Sequence, residues 1–230
     1  MKHVIIIGGG LAGLISAILL SRKGIFCTVI EKKSYPFHRV CGEYISNEVV
    51  PFLENLDLFP SQFTPPCITR FQLSSANGKS TILPLDCGGF GISRYTFDYF
   101  IYQKAKTQGV NFLLNTEAEE ITYSENKFVV NFSGSSLEGD VVIGAFGKRS
   151  RLDHFLNRNF VLKRSPYVGV KYHIRTEHPA DLIALHNFPG GYCGVSPVEN
   201  GIVNLCYLVH RDYLRKCGSI PELEKQMLFK

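Results

Sequence analysis

Three glycines near the start of the chain, Gly8, Gly10 and Gly13, have the spacing GxGxxG. In such a loop the first glycine permits a tight turn and the second lets a pyrophosphate approach the backbone. The third lets the next helix pack close to the preceding strand. The phosphates then sit at that helix's N-terminus, on the unpaired N–H groups of Leu11, Ala12 and Gly13, where the dipole favours an anion. A carboxylate, Glu31, follows at about the 20-residue spacing from which it accepts hydrogen bonds from a ribose. Its charge repels a 2′-phosphate, so the site disfavours NADP even with Lys32 beside it.

The flanking segments support these roles. "HVIII" has the β-branched density of a buried parallel strand. "LAGLISAILLSRKG" carries apolar residues at helical spacing and stops at Gly24, and "FCTVIE" is a second strand that ends on Glu31. The apolar run from Val4 to Leu20 is too short for a membrane span and is interrupted by four glycines. A dinucleotide site explains it, and to this point NAD and FAD both fit.

The continuation departs from an NAD domain, which would add further βα units of similar size. A long loop, "KKSYPFHRVCGEYIS", precedes the helix "NEVVPFLENL", capped by Ser46. Two strands, "ITRFQLSS" and "KSTILPL", join at Ala76-Asn77-Gly78, and a helix returns only in "RYTFDYFIYQKAKTQG".

The 230 residues are 45% hydrophobic and 20% charged, which suits a globular α/β protein with a real core. The net charge is +5, yet the densest basic stretch is only Lys148, Arg149 and Arg151, so no nucleic-acid groove is expected. Seven cysteines, an odd number without a CxxC pair, read as reduced, mostly buried thiols of a cytoplasmic protein with no zinc or other metal site.

From Val4 to about Val209 the chain resembles flavoproteins of the para-hydroxybenzoate hydroxylase fold. In "GGFGISRYTFDYFIYQKAKTQGVNFLLNTEAEEI", Arg94 matches the arginine that opens a helix beside the flavin, and Asp98 matches that helix's acid. Ala118 matches a small residue that lies against the adenine on the following strand. In "DVVIGAFGKRSRLD", Ala145, Gly147 and Ser150 match a later signature, with Phe146 in place of the usual Asp. The resemblance implies FAD, with NADPH as electron donor.

"RVCGEYIS" is similar to the flavin loop of the geranylgeranyl reductase branch: Arg39, Cys41 and Gly42 match, and Glu43 replaces a Gly. In "NFPGGYCGVSPVENGIVNLCYLV", Gly190, Gly191, Tyr192 and Pro197 match a substrate hairpin, while Gly194 and Ser196 replace aromatics. Cys41 and Tyr192 are the candidate catalytic residues, each with packing as the alternative role. The chain has no Trp and so lacks the WxWxIP segment of the related halogenases.

The expected fold is a doubly wound α/β FAD domain (1–66 and 92–160) interleaved with an antiparallel substrate sheet (67–91 and 161–212), then the start of a helical segment (213–230). The implied cofactor residues are Gly8, Gly10, Leu11, Ala12, Gly13, Glu31, Lys32, Arg39, Cys41, Gly42, Arg94, Ala118 and Gly147. The implied activity is FAD-dependent reduction of a prenyl or lipid double bond, or ring hydroxylation, on a small apolar substrate. Peripheral membrane contact through a lipid substrate follows from the same resemblance. Relatives carry a later Gly-Asp flavin motif that Gly139-Asp140 cannot replace, so a truncated chain is expected. The alternative is a non-catalytic FAD- or nucleotide-binding fragment.

Overall fold

The computed structural model describes residues 2–148, 150–163 and 165–228. Arg149 of the basic stretch and the last two residues of the expected terminal helix lie outside them. The chain opens with β1 (His3–Ile7), α1 (Leu11–Ser21) and β2 (Phe26–Glu31). A short β3 (Tyr44–Ser46) and α2 (Val50–Asn55) lead to the hairpin of β4 (Cys67–Ser74) and β5 (Ser80–Gly91). Next come α3 (Arg94–Thr107), β6 (Asn111–Leu114), β7 (Glu120–Ser124), β8 (Lys127–Phe132), β9 (Ser135–Gly139), β10 (Val141–Gly144) and α4 (Arg151–Phe155). The remainder is β11 (Tyr167–Ile174), β12 (Leu182–Phe188), β13 (Gly191–Pro197), β14 (Val203–His210), α5 (Arg211–Cys217) and α6 (Ile220–Leu228).

Contacts divide the chain into two units, Met1–Phe37 with Tyr95–Arg164, and His38–Arg94 with Ser165–Lys230. Residues 38–66, expected in the nucleotide-binding half, therefore lie in the second unit. The reason is β3, which the sequence does not announce and which pairs antiparallel with β5.

The first unit holds a parallel sheet in the order β10-β1-β2-β6. The β-branched run of β1 places Ile5 and Ile6 out of solvent on opposite faces, as a strand covered on both sides requires. Leu14, Ala17 and Ile18 form the buried stripe of α1. A second sheet, β7-β8-β9, is an addition to the expected fold. Its first turn hides its signal: Glu125 and Asn126 both take positive φ between the paired Ser124 and Lys127, the geometry usually advertised by Asn-Gly. Ala118 lies between β6 and β7, not on a strand, and packs in a core cluster with Ile5, Ile7, Ile30, Val130 and Leu152.

The second unit is a seven-stranded sheet in the order β11-β14-β13-β12-β4-β5-β3. It is antiparallel except where β12 runs parallel to β4, which corrects the purely antiparallel expectation. Asp181, just before β12, accepts two guanidinium hydrogen bonds from Arg70 of β4, each 2.7 Å, at that parallel junction. Leu223 of α6 packs with Cys193, Tyr207 and Val209, and Tyr207 Oη donates to Glu224 at 2.7 Å.

The approach of α1 to β1 depends on the third motif glycine. A Cβ on Gly13 would stand 1.9 Å from the Gly8 carbonyl oxygen. Because that neighbour is backbone, relief requires moving a strand end. Gly13→Ala is expected to destabilise the protein by about 1–3 kcal/mol, the range for overpacking, read as a lower urea midpoint; an unchanged midpoint would mean that the turn has room to shift.

Candidate functional site

The nucleotide cradle forms within the first unit. Gly8 takes φ 107°, and a Cβ there would stand 2.3 Å from the Ala145 carbonyl oxygen. Ala145 N–H in turn donates to the Ile7 carbonyl at 2.8 Å. The glycine loop and the later "GAFG" signature thus meet at adjacent strand ends. Gly10 is the N-cap residue of α1 and has no side chain to offer the first N–H groups of the helix, nor does the first turn carry an acid. This is the exposed positive end that an anion occupies.

Glu31 ends β2 and is buried. One carboxylate oxygen accepts the Gly9 N–H at 2.8 Å and the other the Lys33 N–H at 3.1 Å. It therefore shapes the glycine loop in addition to its expected ribose contact. Tyr35 Oη donates to the Gly9 carbonyl, and its ring stacks on Tyr102 of α3 with centroids 4.3 Å apart. These residues fit a dinucleotide: the close backbone approach is kept free of side chains, the helix end is uncapped, and a buried acid lies at the end of β2. Gly147 takes φ 70°, which favours glycine. Lys32 is exposed and faces Glu117 at 3.8 Å. Phe146 packs against the core cluster, and the Arg158 guanidinium lies 5.7 Å from its ring centre, so apolar packing stands where the resemblance implies an acid.

The second unit carries the cysteine loop. Glu43 is 1% exposed and takes φ 57°. That left-handed conformation costs a side chain roughly 1–2 kcal/mol, which accounts for the expectation of a Gly at this position. In this chain the carboxylate offsets the cost. One oxygen accepts the Arg94 N–H at 2.7 Å and an ammonium hydrogen bond from Lys171, and the other pairs with His173 Nε2 at 2.6 Å. Burial pushes the Glu43 pKa up, but the bonds from His173, Lys171 and Arg94 outweigh it and hold the group below the usual carboxylate range. A second buried carboxylate, Glu199, accepts the Ser93 N–H at 2.8 Å. Two internal acids therefore meet the backbone at the start of α3.

Asn204 of β14 clamps the same loop, donating to the Cys41 and Gly42 carbonyls at 3.1 and 2.9 Å. Its own Oδ1 is buried and accepts no hydrogen bond among the described residues. Over this cluster lies a cleft of about 330 Å³ lined by His38, Arg39, Val40, Lys171, Tyr172 and His173. Lost hydration, then repulsion from His173 and Lys171, lowers the His38 pKa. A Cβ on Gly42 would meet nothing within 4 Å, so packing does not demand that glycine.

Of the expected cofactor residues, Gly8, Gly10, Leu11, Ala12, Gly13, Glu31, Lys32, Ala118 and Gly147 lie in the first unit, and Arg39, Cys41, Gly42 and Arg94 in the second. Ala118 is buried in the core. Tyr192 on β13 is partly exposed and pairs with Leu208. The cysteines are unpaired, but Cys67 and Cys87 are exposed, against the expectation of mostly buried thiols. Burial pushes Cys193 up to about 12, so it is an inert packing group. Lys171, His173, Glu199 and Asn204 are additions to the expected set. A signal for the first two exists: Lys171 and His173 are two apart, on one face of a strand. Asn204 alone interrupts the apolar run "IVNLCYLV", as a buried hydrogen-bonding residue does.

Glu43→Gln leaves the Lys171 ammonium buried without its counter-charge and is expected to cost about 3–5 kcal/mol, the range for breaking a buried pair. Because the folded pKa of Glu43 is depressed, its contribution is full above the unfolded carboxylate pKa and is lost as pH falls through the folded value. The gap in urea midpoint between wild type and Glu43→Gln should therefore narrow with acidification; a gap independent of pH would contradict the charged pairing.

Residues 1–60 match the family model of the FAD binding domain. An uncharacterized protein of Methanosarcina barkeri is 26% identical over 96% of this chain and 60% of its own length. A menaquinone reductase of Mycobacterium tuberculosis is 24% identical over 88% of the chain and 53% of its length. The chain thus spans between half and three-fifths of these relatives. Among solved structures, a geranylgeranyl bacteriochlorophyll reductase-like protein from Thermoplasma acidophilum superposes with a TM-score of 0.75 at 19% identity, over 92% of this chain and 57% of that one. The halogenase PltM, in complex with phloroglucinol and FAD, superposes with a TM-score of 0.77 at 18% identity, over 99% and 55%. The chain therefore has the fold of FAD-dependent flavoproteins, reductase-like and halogenating alike, and its first 60 residues match an FAD binding domain.

Proposed function

We propose that this chain holds FAD on its N-terminal cradle and belongs to a flavoenzyme that reduces an apolar, prenyl- or quinone-type substrate. The carrying observation is the glycine turn, where a Cβ on Gly8 or Gly13 would collide with backbone, joined to an uncapped helix end and the buried Glu31. Gly8 and Gly13 keep the approach open, the α1 N-terminus takes the pyrophosphate, and Glu31 holds both the loop and the ribose. Bound FAD supplies hydride chemistry to the site, with NADPH as the proposed electron donor.

Reduction is favoured over halogenation by the "RVCGEYIS" loop, the menaquinone reductase relative and the absence of Trp. On this reading Glu43 and Asn204 fix the path of the Cys41–Gly42 loop, and Cys41 is the proposed catalytic residue on it. A second reading, a flavin- or nucleotide-binding protein without turnover, draws on Phe146, which fills with apolar packing the place of the family's acid.

Equilibrium dialysis against FAD tests the cradle. Glu31→Ala should weaken binding by about 1.5–3 kcal/mol, the range for hydrogen bonds to a charged group, and unchanged affinity would remove Glu31 from the site. Turnover is tested by NADPH oxidation with prenylated quinones while oxygen is monitored. Oxidation that consumes no oxygen and saturates a substrate double bond supports the reductase; stoichiometric oxygen uptake with a hydroxylated product supports the monooxygenase chemistry instead. Cys41→Ser should slow that turnover without changing bound FAD, and normal turnover would reduce Cys41 to a packing residue.

A further inference from the structure

Two residues of the segment from Lys148 to Lys163 adjoin the nucleotide cradle: Leu152 lies in the core cluster on which Phe146 packs, and the Arg158 guanidinium lies 5.7 Å from the Phe146 ring centre. Its inward side is held by hydrogen bonds and core packing. Ser150 Oγ accepts the Leu152 N–H at 3.2 Å, Asp153 accepts the Ser150 N–H at 3.3 Å, and Leu152 is buried in the core cluster. Its outward side is unusual for a water-facing surface. Phe155 is 41% exposed, Leu156 40%, Phe160 55% and Leu162 81%. Single exposed apolar residues are ordinary, but four large ones within eight positions mark an interaction surface.

The charges select the partner. Lys148, Arg151, Arg158 and Lys163 are all exposed, while the one acid in the segment, Asp153, is fully buried and pairs with Arg158 at 3.5 Å. Among the described residues, the exposed ones of the segment are thus four large apolar side chains and four cations, with His154, Asn157 and Asn159 between them and no exposed acid. An isologous dimer through this face would set cations against cations, which costs affinity. A surface that is apolar below and anionic above matches it instead.

We propose that Lys148 and residues 150–163 form a docking surface for an anionic phospholipid bilayer, with Phe155, Leu156, Phe160 and Leu162 entering the headgroup boundary and Lys148, Arg151 and Lys163 meeting lipid phosphates. No helix among the described residues is long and apolar enough to cross a membrane, and this contact needs none. The inference does not depend on the proposed reaction, and its test uses no turnover.

Flotation of the protein with phosphatidylcholine vesicles, and with vesicles that also contain phosphatidylglycerol, tests it. Binding should require phosphatidylglycerol and fall with added salt. The double variants Phe160→Ser/Leu162→Ser and Arg151→Glu/Lys163→Glu should each bind about tenfold more weakly, given the contribution of each apolar and basic group at a membrane surface, with unchanged thermal unfolding. Footprinting should show Phe160 protected only when anionic vesicles are present. Absence of wild-type flotation, equal binding by the variants, or protection of Phe160 without vesicles, which would identify a protein cover or a second copy, overturns the proposal.

Discussion

A side chain on Gly13 would stand 1.9 Å from the Gly8 oxygen, and one on Gly8 would stand 2.3 Å from the Ala145 oxygen. Three backbone segments, the end of β1, the start of α1 and the residue after β10, therefore meet with no room for a Cβ. The consequences spread through the first unit. Helix α1 lies low on the sheet, so its buried stripe reaches β1 and β2. Its N-terminus opens at the strand ends, where free N–H groups attract an anion. Glu31, at the end of the neighbouring strand, comes within hydrogen-bond reach of Gly9 and shapes the same turn.

The second unit has its own constraint, a carboxylate removed from water. Burying Glu43 alone would be prohibitive, and the chain meets this with Lys171, His173 and the Arg94 N–H. The arrangement joins a loop, a strand and the first residue of a helix through one side chain. It also holds a non-glycine residue in a left-handed conformation and so directs the preceding Cys41 and Gly42, whose carbonyls Asn204 holds from another strand. Polar groups thus set the course of the loop on which the resemblance to reductases depends, and the cleft above them is lined by imidazole, guanidinium and ammonium groups.

The two constraints differ in chemistry. A dinucleotide phosphate needs backbone donors and space, which glycine supplies without charge. The Cys41–Gly42 loop is instead held by a buried ion cluster, which fixes its path by making every alternative leave a charge unpaired. Phe146 departs from the acid that the resemblance implies: it lies between the small residues Ala145 and Gly147 and packs against the apolar core.

The sequence by itself determined the nucleotide-binding half to a large degree. GxGxxG, the β-branched run before it, the helical stripe after it and the terminal Glu31 are local signals, each read within a few residues of the others. The β4–β5 hairpin was legible for the same reason. What it left open was set by partners distant in the chain. Glu43 reads as an odd replacement for glycine until Lys171 and His173, more than a hundred positions away, appear beside it. Ala118 reads as a strand residue against a ligand, but its neighbours make it core. The β7–β8 turn carries Glu-Asn where the usual signal is Asn-Gly. Tertiary structure decided these because burial and charge pairing depend on which segments are brought together, and the residue types alone do not record that.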